Sequence, residues 1–246
     1  MEAIGVIPAR YSSTRFAGKV LADICGKPMI QHVWERVKKA LLLDEVIIAC
    51  DEERVFAVCR DFGANCIMTA KEHLSGSDRI AEVVNPIDVK VVVNIQADEP
   101  LIEPVMIDSL VEALLRDSSI YMATLIKRIE DDEEINDPDI VKVVKDKNNF
   151  ALYFSRAAIP YQAGNAKGKP VYYKHIGLYA YTKDFLFTYK NILPSTLEKQ
   201  EKLEQLRVLE EGFRIKLIET KFDTIGVDTP KDLERVRAYL KKAERK

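Results

Sequence analysis

Two residue types that often organise a functional site are scarce in this chain. It has four cysteines, Cys25, Cys50, Cys59 and Cys66, none in a Cys-x-x-Cys pair, and its three histidines lie far apart in sequence. These spacings exclude the usual zinc sites, and free thiols in a chain of 246 residues point to a reducing compartment. Long apolar runs are missing too. No segment approaches the roughly 20 apolar residues of a membrane-spanning helix, and residues 1–7 are too short an apolar stretch for a secretory leader. The expectation is a soluble, cytoplasmic protein with no membrane partner. Neither charge dominates: 37 Lys+Arg stand against 39 Asp+Glu, so there is no field built to hold nucleic acid. Three glycine signatures are also absent: the Gly-x-Gly-x-x-Gly fingerprint of dinucleotide sites, the Gly-x-x-x-x-Gly-Lys-Ser/Thr phosphate loop and the Gly-x-Ser-x-Gly nucleophile elbow.

What the chain does hold is a strand-to-loop junction of unusual composition. An apolar run over residues 3–7 stops at Pro8, and a loop follows with Arg10, Ser12, Ser13, Thr14, Arg15 and then Lys19. Hydroxyls and backbone amides supply directional hydrogen bonds, and the cations offset charge, so this loop suits a polyphosphate. A second junction, Asn94-Ile95-Gln96-Ala97-Asp98-Glu99-Pro100, leaves an almost continuous β-branched run at residues 89–95 with a carboxylate at Asp98. A third carboxylate-bearing junction, Ile225-Gly226-Val227-Asp228-Thr229-Pro230, precedes the last helical pattern. Two carboxylates beside a phosphate loop are the donor set of a magnesium ion. The stretch His73-Leu74-Ser75-Gly76-Ser77-Asp78-Arg79 combines small residues with an arginine able to reach a phosphate or carboxylate, and Ser77 is the expected helix cap.

The order of patterns is alternating. Strands over residues 3–7, 45–50 and 89–95 are separated by amphipathic helices over 28–42 and 52–62, and Pro104 opens another helix. After residue 121 the pattern changes to strands at 121–129, 141–144, 151–155 and 172–181, with a hairpin turn at Lys147-Asn148-Asn149 and an acidic loop at 130–134. A charged helix is expected over 195–211, a last strand over 214–219, and a final helix opened by the capping box Thr229-Pro230-Lys231-Asp232. The fold class is α/β: a mixed, mostly parallel, Rossmann-like sheet with helices on both faces. The region from about 120 to 190 reads as an antiparallel insertion.

The ordered motifs Ile-Pro-Ala-Arg-Tyr-x-Ser-Thr-Arg (7–15), Gly-Lys-Pro-Met-Ile (26–30), His-x-Ser-Gly-x-Asp-Arg (73–79), Asp-Glu-Pro (98–100), Ala-Leu-Tyr-Phe-Ser-Arg-Ala (151–157), Lys-His-Ile-Gly-Leu-Tyr-Ala-Tyr (174–181), Leu-Glu-Gln-Leu-Arg-Val-Leu (203–209) and Gly-Val-Asp-Thr-Pro (226–230) span nearly the whole chain. Together they resemble the bacterial 3-deoxy-D-manno-octulosonate (Kdo) cytidylyltransferases. Phe16-Ala17-Gly18 stands where that family usually has Leu-Pro-Gly, Val20 where it has proline and Ala97 where it has glycine. The resemblance implies a nucleotide-diphospho-sugar transferase fold whose inserted strands bind sugar and pair two subunits in a homodimer. It also implies magnesium-dependent transfer of CMP from CTP to Kdo, for lipopolysaccharide synthesis. Carried over by position, Pro8, Ala9, Arg10, Ser13, Arg15, Lys19, Ser75, Gly76, Arg79, Gln96 and Ala97 would bind the nucleotide. Gln96, Arg156, His175, Tyr181, Glu204 and Gln205 would line the sugar site, Asp98 and Asp228 would hold magnesium, and Arg10, Lys19, Asp98 and Asp228 would be catalytic. Another acidic-sugar cytidylyltransferase, such as one acting on sialic acid, and a catalytically silent nucleotide binder are the competing readings.

Overall fold

The computed structural model describes residues 1–12, 16–73, 75–164 and 170–243. The first half builds β1 (Ala3–Ala9), a two-residue-strand hairpin β2 (Asp23–Ile24) and β3 (Lys27–Pro28), α1 (Met29–Val37), β4 (Glu45–Cys50), α2 (Glu53–Asp61), β5 (Asn65–Met68), α3 (Gly76–Val84), β6 (Val91–Asn94) and α4 (Pro104–Arg116). The second half adds β7 (Met122–Arg128), α5 (Asp132–Asn136), β8 (Lys142–Lys145), β9 (Ala151–Ser155), β10 (Tyr173–Thr182), α6 (Lys183–Asn191), α7 (Thr196–Glu201), α8 (Leu206–Glu210), β11 (Lys216–Glu219) and α9 (Pro230–Ala243).

Seven strands line up as β11-β7-β10-β6-β1-β4-β5, with β8 and β9 joined to them through β10. All neighbours in the row are parallel except β10, which runs antiparallel to both β6 and β7. The antiparallel strands of the middle region are therefore continuous with the main sheet, and only the β8–β9 hairpin branches from it. The period of two decides which side chain meets which layer. In β1, Ala3, Ile7 and Ala9 face the core shared with α1, α2 and α4, while Ile4 and Val6 face the core shared with α3, α6 and α8. Both faces are covered, which is why β1 and β6, up to Asn94, carry apolar residues. Gly5 faces the first of these layers. A Cβ there would lie 2.8 Å from Leu43 Cδ1 and 3.0 Å from Ile95 Cδ1, so the missing side chain lets these residues close over the strand.

Three local expectations need correction. The charged segment 195–211 is two helices. Ser195 caps α7 in a capping box with Glu198, and Lys202 ends it in the left-handed region at φ 58°. In an unbroken helix Leu197 and Leu206 would point about 180° apart, yet both pack into the same core, so the chain must break between them. Arg207 then ties the two pieces with a fork onto Glu198, at 2.7 and 2.5 Å. The acidic stretch 130–134 runs into the short helix α5, where Asp131 accepts from Glu133 N at 3.0 Å and the acids of the first turn suit the helix dipole. The cap of α3 is Ser75, which forms a capping box with Asp78; Ser77 is the second residue of the helix and is buried.

Candidate active site

The order of strands reverses at β1, whose two parallel neighbours are β4 and β6. Ligands in open α/β sheets bind at the carboxyl ends of the strands beside such a reversal. A crevice of about 650 Å³ opens there, lined by Pro8 near the end of β1, Arg10, Tyr11 and Ser12 after it, Ala17, Lys19 and Val20, Gly76 at the start of α3, Gln96, Ala97 and Asp98 after β6, and Asp228 before α9.

Each lining residue is held by its own backbone logic. Gly18 adopts φ 68°, which places its N–H 2.9 Å from the Tyr11 carbonyl and ties the two ends of the loop after β1 together. Lys19 follows directly in a single 3-10 turn, Lys19–Leu21. Its Nζ donates to Asp98 Oδ2 at 2.5 Å, Asp228 Oδ1 at 3.1 Å and the Val227 carbonyl at 3.1 Å. Asp228 is brought there by α9, whose Leu233 and Val236 pack with Val227, Leu101, Met29 and Ile24. The Val227 N–H donates to the Asp98 carbonyl at 2.9 Å, so the two acidic loops are clipped together. Ala97 does not adopt positive φ; among the described residues the non-glycines that do are Cys25, Asn149 and Lys202. Its methyl group is accommodated without strain.

Burial disfavours the Lys19 ammonium, but Asp98 and Asp228 more than offset this and hold its pKa above the ordinary lysine value. Two carboxylates converging on one cation show that this point attracts positive charge. Among the described residues no group of three His, Cys, Asp or Glu side chains converges to hold a metal. A pair of hard oxygen ligands that leaves the remaining positions to phosphate and water fits magnesium.

Glu99 beside them was assigned no role from sequence, although it is the middle residue of the quoted Asp-Glu-Pro. Burial, reinforced by Asp98, pushes its carboxyl up to about 8, and its Oε2 is buried without a partner.

The other expected nucleotide residues separate into groups. Pro8 and Gly76 meet across the crevice; a Cβ at Gly76 would lie 3.3 Å from Pro8 Cγ. Arg10, Gln96 and Ala97 line the opening, whereas Ala9 is fully buried in the sheet. Ser13 and Arg15 fall outside the described residues. Ser75 spends its hydroxyl on Asp78, 2.8 Å away. Arg79 does not reach the crevice: it is 0% exposed and its Nη2 donates to Asp51 Oδ2 at 2.8 Å.

Of the expected sugar residues, Gln96 alone lines the crevice, and the others lie behind or beside it. Gln96 Nε2 donates to Asn94 Oδ1 at 3.3 Å. Tyr181 is hydrogen-bonded to Asn94 and Ser77 and is 1% exposed, so it is an interior residue rather than a surface one. Glu204 accepts from the Tyr189 hydroxyl at 2.6 Å and lies 3.5 Å from the Ser77 hydroxyl. Gln96, Tyr181 and Glu204 thus belong to one polar network running inward from the crevice. Glu204 and Gln205 occupy the turn between α7 and α8 rather than a helix, and Gln205 is buried with Nε2 unpartnered. Arg156, at the end of β9, donates from Nε to the Glu201 carbonyl at 2.9 Å and from Nη1 to the Pro138 carbonyl at 2.9 Å.

His175 borders a separate acid-rich cavity that also includes Glu99 and Asp223. Its ring packs edge-on to Phe154, and Nε2 lies 2.9 Å from Thr124 Oγ1. That hydroxyl commits its single proton to the Leu178 carbonyl at 2.8 Å, so it accepts from Nε2–H of a neutral imidazole. Burial holds the His175 pKa down to about 3. As pH falls through 6.5 the unfolded chain takes up a proton that the native ring refuses until about pH 3, so this residue lowers stability as pH falls and its contribution to the slope fades well above 6.5. His175→Gln should therefore flatten the loss of stability between pH 7 and 4, read as urea midpoints. An unchanged pH slope would refute the assignment.

A loop of cations and two carboxylates at the switch point of a doubly covered sheet defines a nucleotidyltransferase. The comparisons agree. The family model described as "Cytidylyltransferase" matches residues 4–218. A 3-deoxy-manno-octulosonate cytidylyltransferase from Solibacter usitatus is 52% identical over 240 residues, covering 98% of this chain and 95% of that protein. One of the same name from Syntrophus aciditrophicus is 52% identical, covering 97% of each chain. The solved structure of CMP:2-keto-3-deoxy-manno-octonic acid synthetase complexed with CTP superposes with TM-score 0.93 at 42% identity, covering 99% of this chain and 100% of that one. The 4-diphosphocytidyl-2C-methyl-D-erythritol synthase of Anaerococcus prevotii shares the fold at TM-score 0.64 and 11% identity. The chain belongs to the cytidylyltransferase family, and within it to the 3-deoxy-manno-octulosonate cytidylyltransferases.

Proposed function

We propose that this protein transfers CMP from CTP to the anomeric hydroxyl of Kdo, releasing pyrophosphate, as a magnesium-dependent cytoplasmic enzyme that supplies lipopolysaccharide synthesis and acts as a homodimer. The observation that carries the reading is the convergence of Asp98 and Asp228, from distant parts of the chain, on Lys19 beside the phosphate loop. The likeness to relatives bearing that name over nearly full length supports the substrate pair.

In this reaction the sugar oxygen forms a bond to the α-phosphorus as the bond to the pyrophosphate oxygen breaks, and the hydroxyl proton leaves to solvent. Such transfer depends on positioning and charge neutralisation more than on a protein nucleophile. Arg10 and Lys19 line the crevice and supply positive charge to the triphosphate. Asp98 and Asp228 would hold magnesium, which when bound neutralises phosphate charge and acidifies a coordinated hydroxyl. Gln96 is placed to bond a sugar hydroxyl from the same opening. The exposed edge of the β8–β9 hairpin, with Leu152 61% exposed, supports subunit pairing through the inserted strands.

The test is pyrophosphate release from CTP and magnesium with Kdo, with sialic acid and with no sugar. Turnover with Kdo alone is the expected result. Turnover with sialic acid in place of Kdo would reassign the substrate, and CTP binding without turnover would make the protein a silent binder.

A further inference from the structure

Behind the phosphate loop lies an ion pair more deeply buried than any charge that the reaction itself requires. Arg79 is 0% exposed and Asp51, the residue after β4, is 8% exposed. One Asp51 oxygen, Oδ2, accepts from Arg79 Nη2 at 2.8 Å, and the other, Oδ1, accepts from the Tyr11 backbone N–H at 3.3 Å. Arg79 Nη1 donates to Thr69 Oγ1 and to the Ala70 carbonyl at 3.4 Å, and Thr69 in turn donates to the Cys50 carbonyl at 2.9 Å. The carboxylate is thus braced on one side by α3 and the end of β5, and on the other it grips Tyr11, the second residue after β1.

Tyr11 is the point where that grip matters. Its carbonyl accepts from Gly18 N at 2.9 Å, which closes the loop immediately before Lys19. Both backbone polar groups of Tyr11 are therefore committed, one to the loop itself and one to Asp51. Arg79 also lies one turn beyond Gly76, which forms the crevice wall opposite Pro8. A pair serving the core alone would not need its second oxygen on the loop.

We propose that Asp51 is a positioning residue for nucleotide binding: held by Arg79, it fixes the Tyr11 amide and so sets Arg10 and Ser12, its neighbours on the crevice wall, for the triphosphate. This rests on the reading of that loop as the CTP site. With residues 10–12 already in place, their ordering costs nothing on binding, so loss of the brace raises the nucleotide KM more than it lowers kcat.

Asp51→Asn keeps the shape but replaces one acceptor oxygen with a donor, which must face either the guanidinium or the Tyr11 N–H. It should raise KM for CTP about tenfold or more, because a charge-assisted bond is lost, with KM for Kdo unchanged and kcat at saturation within a few-fold. Thr69→Val, which removes a support of Arg79 and leaves Asp51 in place, should move KM for CTP in the same direction by less. Both are measured well below the melting temperature of each variant, beside Arg10→Ala as a reference for the loop. A folded Asp51→Asn protein with wild-type KM for CTP overturns the proposal, as does an equal rise in both substrate KM values. If Asp51→Asn fails to fold, Thr69→Val decides: a lower melting temperature with an unmoved KM for CTP overturns it. If Arg10→Ala also leaves KM for CTP unmoved, the failure lies in the assignment of the loop to CTP.

Discussion

Asp98→Asn and Asp228→Asn should each lower kcat by about 10³-fold while leaving the fold intact. Each substitution keeps side-chain volume and a hydrogen-bonding oxygen but removes one negative charge from a pair that now shares the Lys19 ammonium at 2.5 and 3.1 Å. Asp98 and Asp228 are partly exposed, with side chains 27% and 44% accessible, so the fold does not depend on burying either charge. The catalytic loss follows because a cation at this point acts where charge develops in the transition state, and removal of one such stabilising group costs about 10²–10³-fold. With the proposed magnesium the loss of a ligand also raises the metal concentration needed for half-maximal rate. Pyrophosphate-release kinetics over a magnesium titration, with circular dichroism melts of the same preparations, measure both. Near-normal rates in either variant would refute the metal assignment.

Lys19→Met should produce two effects of opposite direction. It removes a cation that faces the proposed triphosphate, so KM for CTP should rise and kcat fall, together by about 10²-fold in kcat/KM. It also frees Asp98 and Asp228 from the charge that now occupies the space between them, so the nucleotide-free protein should bind manganese, a probe for magnesium, more tightly than wild type. Calorimetric titration with manganese reads the second effect without any turnover. Weaker or unchanged manganese affinity would show that the lysine and the metal do not compete for these carboxylates. Methionine keeps most of the aliphatic stem, so the packing of the 3-10 turn is little disturbed.

The parts of this arrangement that were legible in sequence are those decided locally. The alternation of β-branched runs with helical spacing marked β1, β4, β6 and α1, α2 and α4 because each buries its apolar face in a fixed period. Proline at the start of α4 and the Thr229–Asp232 capping box marked helix starts for the same reason. The breaks were harder to read. Nothing in residues 195–211 forbids one helix; the interruption at Lys202 comes from the need to bring Leu197 and Leu206 to one core. The cap of α3 was misplaced by two residues because Ser75 and Ser77 carry the same chemistry, and only the reach of Asp78 back to Ser75 separates them.

Site residues followed the same division. Arg10, Lys19, Asp98 and Asp228 lie in the stretches that the motifs singled out, and the tertiary structure brings all four to the lining of one crevice. The role of Arg79 depended on which residue waits opposite it. An arginine in a helix start of small residues suits a phosphate as well as a buried carboxylate, and Asp51 lies in a different loop. Tyr181 and Glu204 belong to a buried network whose members come from β10, α3 and the α7–α8 turn, so no single stretch of chain advertises it.

By itself the amino-acid sequence determined the layered α/β class, the strands and helices with a clear period, and the loop chemistry that suits a polyphosphate and a divalent ion, since these depend on neighbours a few residues apart. The tertiary structure alone decided that Asp98 and Asp228 meet at Lys19, that Arg79 is spent on Asp51 rather than on ligand, and that the middle strands continue the main sheet. Those outcomes depend on contacts between segments far apart in the chain, where burial of apolar surface fixes the approach and charge pairing selects the partner.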